Sequence, residues 1–338
     1  MDTKIIDDKK IWEEFLDSHP ESNFLQSWLW AEFQESLGRK IFRTGFFEKE
    51  KLTGVCFSYI ETSRRGKFLV VPGGPIIDWQ NKQEAREFKK TVEKIAKENE
   101  CVFVRCRPQL EDSDFSRKIF RELGFKNAPM YLHAELTSQL SIEKSEEELL
   151  ANMRKATRYE IKKAQKLGIK ISTKYDKKSA DNFIRLQDET AKRQKFVPFS
   201  KKFLLNQFDI FIKNNNAILY TATYQGKLLA QAFIIFYGNE AVYHYGASTE
   251  DGRRYPGAYI IQWEAIREAR RRGIKRYNFW GVAPEGNGDH RFSGLSLFKR
   301  GFAGVDVSYL PAQDSVIDSK RYLINHWIEK IRRKIRKV

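Results

Sequence analysis

Tyr243-His244-Tyr245-Gly246-Ala247-Ser248, a loop through Arg254-Tyr255-Pro256-Gly257, a helical run from Ala258 to Gly273, the stretch Tyr277 to Gly281, and then Leu297-Phe298-Lys299-Arg300-Gly301-Phe302 decide the reading of this chain. The order is strand, glycine-bearing loop, helix, strand. Such an arrangement turns unpaired backbone N–H groups at a helix start toward an anion, and here a lysine follows close behind in sequence.

Working outward, the same unit occurs earlier. Glu50-Lys51-Leu52-Thr53-Gly54-Val55 opens a strand-like run to Ile60, and Gly226-Lys227-Leu228-Leu229-Ala230 opens another to Tyr237, an offset of about 175 positions. Arg86 to Asn99 is helical by period, with Phe88, Val92, Ile95 and Ala96 on one side, and leads into Val102-Phe103-Val104-Arg105. Tyr259 to Arg272 leads likewise into Tyr277-Asn278-Phe279-Trp280. Two copies of one αβ unit follow, each with a mixed sheet of hairpin strands plus a strand reached through a helix.

A chain of 338 residues with 41% hydrophobic and 14% aromatic residues has material for two cored domains. Its formal charge of +17 favours phosphate-rich partners such as RNA, nucleotide sugars or anionic lipid. Cys56, Cys101 and Cys106 form no C-x-x-C pair and the five histidines are scattered, which argues against a disulfide framework and a zinc site. No apolar run reaches the roughly 18 residues of a membrane span. The polar start Met1-Asp2-Thr3-Lys4 reads as a soluble protein of the reducing cytoplasm.

Ser138 to Glu148 is polar and acidic and reads as the boundary between halves. The next stretch reads as one helix, with Leu150, Met153, Thr157, Ile161, Ala164 and Leu167 as a buried stripe and Gly168 as its C-terminal cap. Its other side carries Lys155, Arg158, Lys162 and Lys166, a spacing suited to a phosphate backbone, as in tRNA, or to a solvated face. In the tail, Ile324, Trp327, Ile328, Ile331, Ile335 and Val338 trace one apolar face, with Lys330, Arg332, Arg333, Lys334, Arg336 and Lys337 around it. Packing through the first turns, with the basic end left free for an anionic membrane, is the expectation.

Five stretches in order, Phe24-Leu25-Gln26-Ser27-Trp28-Leu29-Trp30-Ala31-Glu32-Phe33, Val71-Pro72-Gly73-Gly74-Pro75, Met153-Arg154-Lys155-Ala156-Thr157-Arg158-Tyr159, Tyr243 to Ser248, and Phe298-Lys299 with Gly301-Phe302, resemble the Fem family of peptidoglycan bridge-forming aminoacyltransferases. The resemblance implies an α/β fold of two tandem GNAT-like domains; the coiled-coil arm of larger members is not expected, because no long heptad insertion fits in 338 residues. The first would span 1–140, completed by about 306–338, and the second 141–305. It implies transfer of an amino acid from aminoacyl-tRNA, the co-substrate, to an amine of a muramyl-peptide precursor, UDP-linked or lipid-linked, with no bound cofactor and no metal.

The resemblance also nominates residues. Lys299 matches the lysine of the family's Phe-Lys pair and is the catalytic candidate. Tyr245, Phe298, Trp30, Gln34, Arg254 and Gly257 are candidates for substrate binding. Gln34 stands where some members place a lysine and Phe199 where they place an arginine; Arg193, Lys195, Lys201 and Lys202 are near enough in sequence to supply the missing charge. Arg253-Arg254-Tyr255-Pro256-Gly257-Ala258 falls at the GNAT pyrophosphate cradle, but Tyr259 occupies its last small position. An aminoacyl ester is already activated, so the chemistry asks for alignment and oxyanion stabilisation rather than a covalent nucleophile. Arg107-Pro108 replaces an acidic residue often found before that proline, and no general base is assigned. An acyl-CoA-dependent N-acyltransferase, and a non-catalytic RNA- or membrane-surface binding protein, are the alternatives.

Overall fold

The structure, a computed structural model, describes the chain except residues 195–196, 251, 253, 287–291 and 337–338 and the side chains of 193, 194 and 336. The chain forms two compact units, Met1–Glu135 with Ser308–Val338, and Leu136–Val307.

In order, the first unit holds β1 (Asp2–Ile5), α1 (Lys9–Asp17), α2 (Trp28–Ser36), β2 (Ile41–Glu48), β3 (Lys51–Ser63), β4 (Gly66–Pro72), α3 (Lys82–Glu98), β5 (Cys101–Arg107), α4 (Asp114–Glu122) and β6 (Lys126–Asn127). Next come β7 (Leu136–Ser141), α5 (Glu146–Asn152), α6 (Lys155–Leu167), β8 (Lys170–Ser172), α7 (Lys177–Gln194), α8 (Lys201–Lys213), β9 (Ala217–Tyr224), β10 (Lys227–Tyr237), β11 (Glu240–Ser248), α9 (Gly257–Arg271), β12 (Arg276–Gly281), α10 (Ser293–Arg300) and β13 (Val305–Ser308). The chain ends with β14 (Gln313–Val316) and α11 (Ser319–Arg336).

Among the described residues each sheet has seven strands, ordered β1-β2-β3-β4-β5-β14-β6 and β13-β7-β12-β11-β10-β9-β8. Read from opposite ends, the orders match position for position. In both, the strand reached through a helix is parallel to its neighbour, β5 beside β4 and β12 beside β11. One feature departs from a plain repeat: the place beside β5 is filled by β14 from the end of the chain, and the place beside β12 by β7 from its middle. Ser138 to Ser141 is therefore strand rather than linker, and the divide falls before Leu136. Thr137, Ser138 and Gln139 are buried in it, Gln139 Nε2 donating to Thr137 Oγ1 at 2.9 Å.

Local chemistry explains the element ends. Asn81 accepts from the backbone N–H of Gln83 and Glu84, so α3 begins four residues before Arg86, where the apolar period begins. The basic stretch is two helices, since Met153 and Arg154 are extended, while Ser145 and Glu148 form a capping box that starts α5. Gly168, at φ 71°, ends α6 in the left-handed conformation that glycine adopts without penalty.

Two of the sequence motifs hold each other. Gln26 donates to the carbonyls of Pro72 (2.7 Å) and Phe57 (3.2 Å) and accepts from Phe57 N–H, while Asn23 donates to Gly73 O at 2.7 Å. A Cβ on Gly73 would stand 2.3 Å from Asn23 Oδ1, and one on Gly74 2.4 Å from the Gln26 amide. The glycine pair is thus a packing requirement of the first unit.

A candidate active site at a fork in the second sheet

β11 and β12 pair only from Glu240↔Arg276 to Val242↔Asn278, although β11 continues to Ser248 and β12 to Gly281. Beyond that point the two strands part. In the first unit the corresponding pair β4–β5 runs from Lys67↔Cys101 to Pro72↔Arg107.

Both strands are irregular where they separate. Phe233 pairs with Tyr245 and Ile234 with Tyr243, which leaves His244 as the extra residue of a bulge. On β12 the pairing with β7 slips between Asn278 and Gly281, and Trp280 in that gap has φ +64°, costly for a bulky side chain. Asn278 holds the kink by accepting from Trp280 N–H at 2.8 Å.

Lys299 lies at this fork. Its Nζ donates to Gly281 O at 2.7 Å and stands 5.5 Å from the centre of the Tyr243 ring, and the residue is 5% exposed. Among the described residues no carboxylate pairs with it. Burial without a counter-charge pulls the ammonium from its ordinary 10.5 down to about 7. Arg300 next to it is tied outward to Asp306 at 2.5 Å and to Ala283 O at 2.6 Å. Ser296 accepts from Ala283 N–H at 2.7 Å, so α10 is fastened to the exit of β12 by three side chains.

Phe298 packs edge-on against Tyr259 at 4.9 Å and against Phe302 at 5.4 Å, beside Lys299 in sequence but within the core wall. The bulge decides where Tyr245 goes. Neighbouring residues face opposite sides of a strand and cross-strand partners share a side, so Tyr243 joins Ile234 on one face and Tyr245 joins Phe233 on the other. Tyr243, like Phe298, packs against the core cluster, whereas Tyr245 approaches Phe199 at 5.3 Å and Phe233 at 6.2 Å. Burial pushes the Tyr243 phenol up to about 12, raises that of Tyr245 as well, and holds His244 down at about 3, hence neutral.

The other candidates are spread more widely. Trp30 is 4% exposed and packed on Phe24 and Phe33, a core position of the first unit. Gln34 is buried and accepts from Arg39, whose guanidinium also meets Glu61 at 2.5 Å and covers the Tyr59 ring. Lys201 is exposed and paired with Asp181 at 2.7 Å. Arg254 is exposed, whereas Gly257 is buried so close to Leu229 that a Cβ there would stand 2.8 Å from Leu229 Cβ. The side chain of Arg193, together with Lys195 and Arg253, lies outside the described residues. Lys155, Lys162 and Lys166 are exposed along α6. Arg158 is not their equal: it donates to Ala151 O at 2.7 Å and to Met153 O, capping α5.

Sequence reasoning passed over Tyr243, Trp280 and Arg39 as site residues. A bulge and a positive φ at tryptophan leave no local signature. Arg39, five residues past Gln34, was legible as a cation but not as the one Gln34 holds.

Two matching mixed sheets, the second forked around a buried lysine, make a tandem GNAT-like fold. The FemAB family profile matches residues 8–127, 126–227 and 215–322, and the chain belongs to that family. The chain is 22% identical over 395 aligned positions to a lipid II:glycine glycyltransferase of Staphylococcus epidermidis (96% of this chain, 94% of the relative). It is 21% identical to the aminoacyltransferase FemA of the same species (85% and 88%). The crystal structure of FemX superposes with TM-score 0.85 at 18% identity, covering 96% of this chain and 99% of that one. A tandem GNAT protein of the clavulanic acid pathway gives 0.59 at 10% identity, covering 93% and 98%. Those structural likenesses carry the fold, and the relatives' names carry the class: the chain is an acyltransferase.

Proposed function

We propose that the chain moves an amino acid from aminoacyl-tRNA to an amine of a peptidoglycan-precursor stem peptide, with Lys299 at the fork as the charge that meets the reacting ester or an adjoining phosphate. The amine nitrogen attacks the ester carbon, the carbonyl oxygen gains negative charge, and collapse releases the ribose oxygen while the amine loses a proton. The observation that carries the reading is a buried lysine, without a carboxylate partner among the described residues, where two parallel strands part. The relatives named as glycyltransferase and aminoacyltransferase point to the acceptor class. Tyr259, standing against Phe298 at the last small position of the GNAT cradle, weighs against coenzyme A as donor. Both substrates place the reaction in the cytoplasm.

The test is transfer of labelled amino acid from a pool of aminoacyl-tRNAs to UDP-linked and lipid-linked muramyl pentapeptide, beside acyl-CoA donors. Product from tRNA alone is expected. Product from acyl-CoA alone, or none from any donor, overturns the reading.

Lys299 sets a pH dependence. Its folded value lies below its unfolded one, so between about 7 and 10.5 the unfolded chain holds the proton and this group's contribution to stability rises with pH. An anion in the fork restores the charge, and binding takes up a proton. Affinity for inorganic pyrophosphate should therefore weaken above pH 7, approaching about tenfold per pH unit, and isothermal titration in buffers of differing ionisation heat should report the proton uptake. Lys299→Met should flatten the profile.

The exposed lysines of α6 are proposed to meet the tRNA backbone. Changing Lys155, Lys162 and Lys166 together to alanine should reduce the salt slope of tRNA binding by about 2 in log–log units, measured by filter binding. An unchanged slope makes the face a solvated one.

A further inference from the structure

The C-terminal helix is mounted the wrong way round for a soluble protein. Tyr322, Asn325 and Glu329 are its buried side chains, and they dock through polar contacts: Glu329 to Arg105 at 2.9 Å and Arg65 at 3.8 Å, Tyr322 O–H to Asp314 at 3.0 Å. Leu323, Ile324, Trp327, Ile331 and Ile335 are each more than half exposed. At 3.6 residues per turn these five share an arc opposite the docked side. The expectation that the first turns pack through the apolar face is therefore reversed.

Charge says what covers that face. Lys320, Arg321, Lys330, Arg332 and Lys334 are exposed along the same helix, and its one carboxylate, Glu329, is buried in the first unit. Lys330 Nζ lies 5.5 Å from the Trp327 ring, a cation and an amphipathic indole side by side. Arg336's side chain, Lys337 and Val338 lie outside the described residues.

We infer that α11 is an interfacial membrane anchor, seating its Leu323–Trp327–Ile331 stripe in the headgroup region of an anionic bilayer. Apolar area supplies insertion, the surrounding lysines and arginines supply selectivity for negative lipid, and the buried ionic docking keeps the helix rigid on the first unit. RNA would use the cations but leave the apolar stripe in water. A second copy would cover the stripe but set like charges against each other.

The full-length protein is tested by flotation with phosphatidylcholine vesicles, with and without about 30% phosphatidylglycerol. Binding to the anionic vesicles is expected, at least about tenfold weaker after Leu323→Ser with Ile331→Ser. Brominated-lipid quenching of tryptophan emission should diminish in Trp327→Phe. Both variants alter exposed side chains, so their melting temperatures and their transfer to a UDP-linked, soluble acceptor should match wild type. That separates failure here from failure of the transfer reading. Equal vesicle binding by the serine variant overturns the inference, as does absence of binding. So does a wild-type dimer that the serine variant converts to monomer, or tRNA binding that depends on Leu323 and Ile331.

Discussion

Lys299→Met lowers transfer by about two to three orders of magnitude and leaves thermal stability equal to or above that of the wild type. The size follows from what a preorganised charge contributes in a site shielded from water. The second half of the expectation comes from burial: among the described residues Lys299 has a carbonyl and a ring for company but no counter-ion, so a methionine of similar length relieves a desolvation cost. Lys299→Arg should not restore activity, because a planar, strongly basic fork does not fit a contact made by one point donor. Single-turnover rates, with melting curves on the same samples, check both parts. Wild-type turnover by the methionine variant would remove Lys299 from the mechanism.

The largest stability effect is expected at Asp314. Arg105 donates to it through Nε at 2.7 Å and Nη2 at 2.8 Å, and Tyr322 adds a third hydrogen bond. Burial pushes the Asp314 carboxyl up, and Arg105 holds that rise back. Asp314→Ala strands a guanidinium whose side chain is 5% exposed, with Glu329 as its remaining carboxylate. The expected loss is about 3–5 kcal/mol in urea denaturation, a large part of the 5–15 kcal/mol typical of a folded domain. Arg105→Met with Asp314→Leu should recover part of it, since the guanidinium leaves with its partner and Glu329 keeps only Arg65, at 3.8 Å. A loss below about 1 kcal/mol in the single variant would show the network to be hydrated.

Much of the fold is readable from local pattern. The offset between Lys51 and Lys227 foretells two sheets with one strand order, and Gly168 marks the end of α6. The crossing of β7 and β14 is not readable from local pattern, because each pairs with a strand remote in sequence; the return of the chain's end to the first unit came from the family resemblance, and the place of β7 beside β12 did not. The polar residues of β7 look like a linker until their partners are known. In the site, Lys299 was nominated by resemblance to a family, whereas the division of Tyr243 from Tyr245 depends on a one-residue bulge at His244.

Composition and periodicity, taken alone, establish a basic, twice-built α/β chain, its helices and strands, and an amphipathic tail, because these depend on neighbours a few residues apart. Folding in three dimensions settles the ionisation of Lys299 and the side on which α11 lies. Both turn on long-range company: the first on the burial of the Lys299 ammonium against Gly281 O, the second on Arg105 and Asp314 drawing Glu329 and Tyr322 inward against the pull of the apolar stripe.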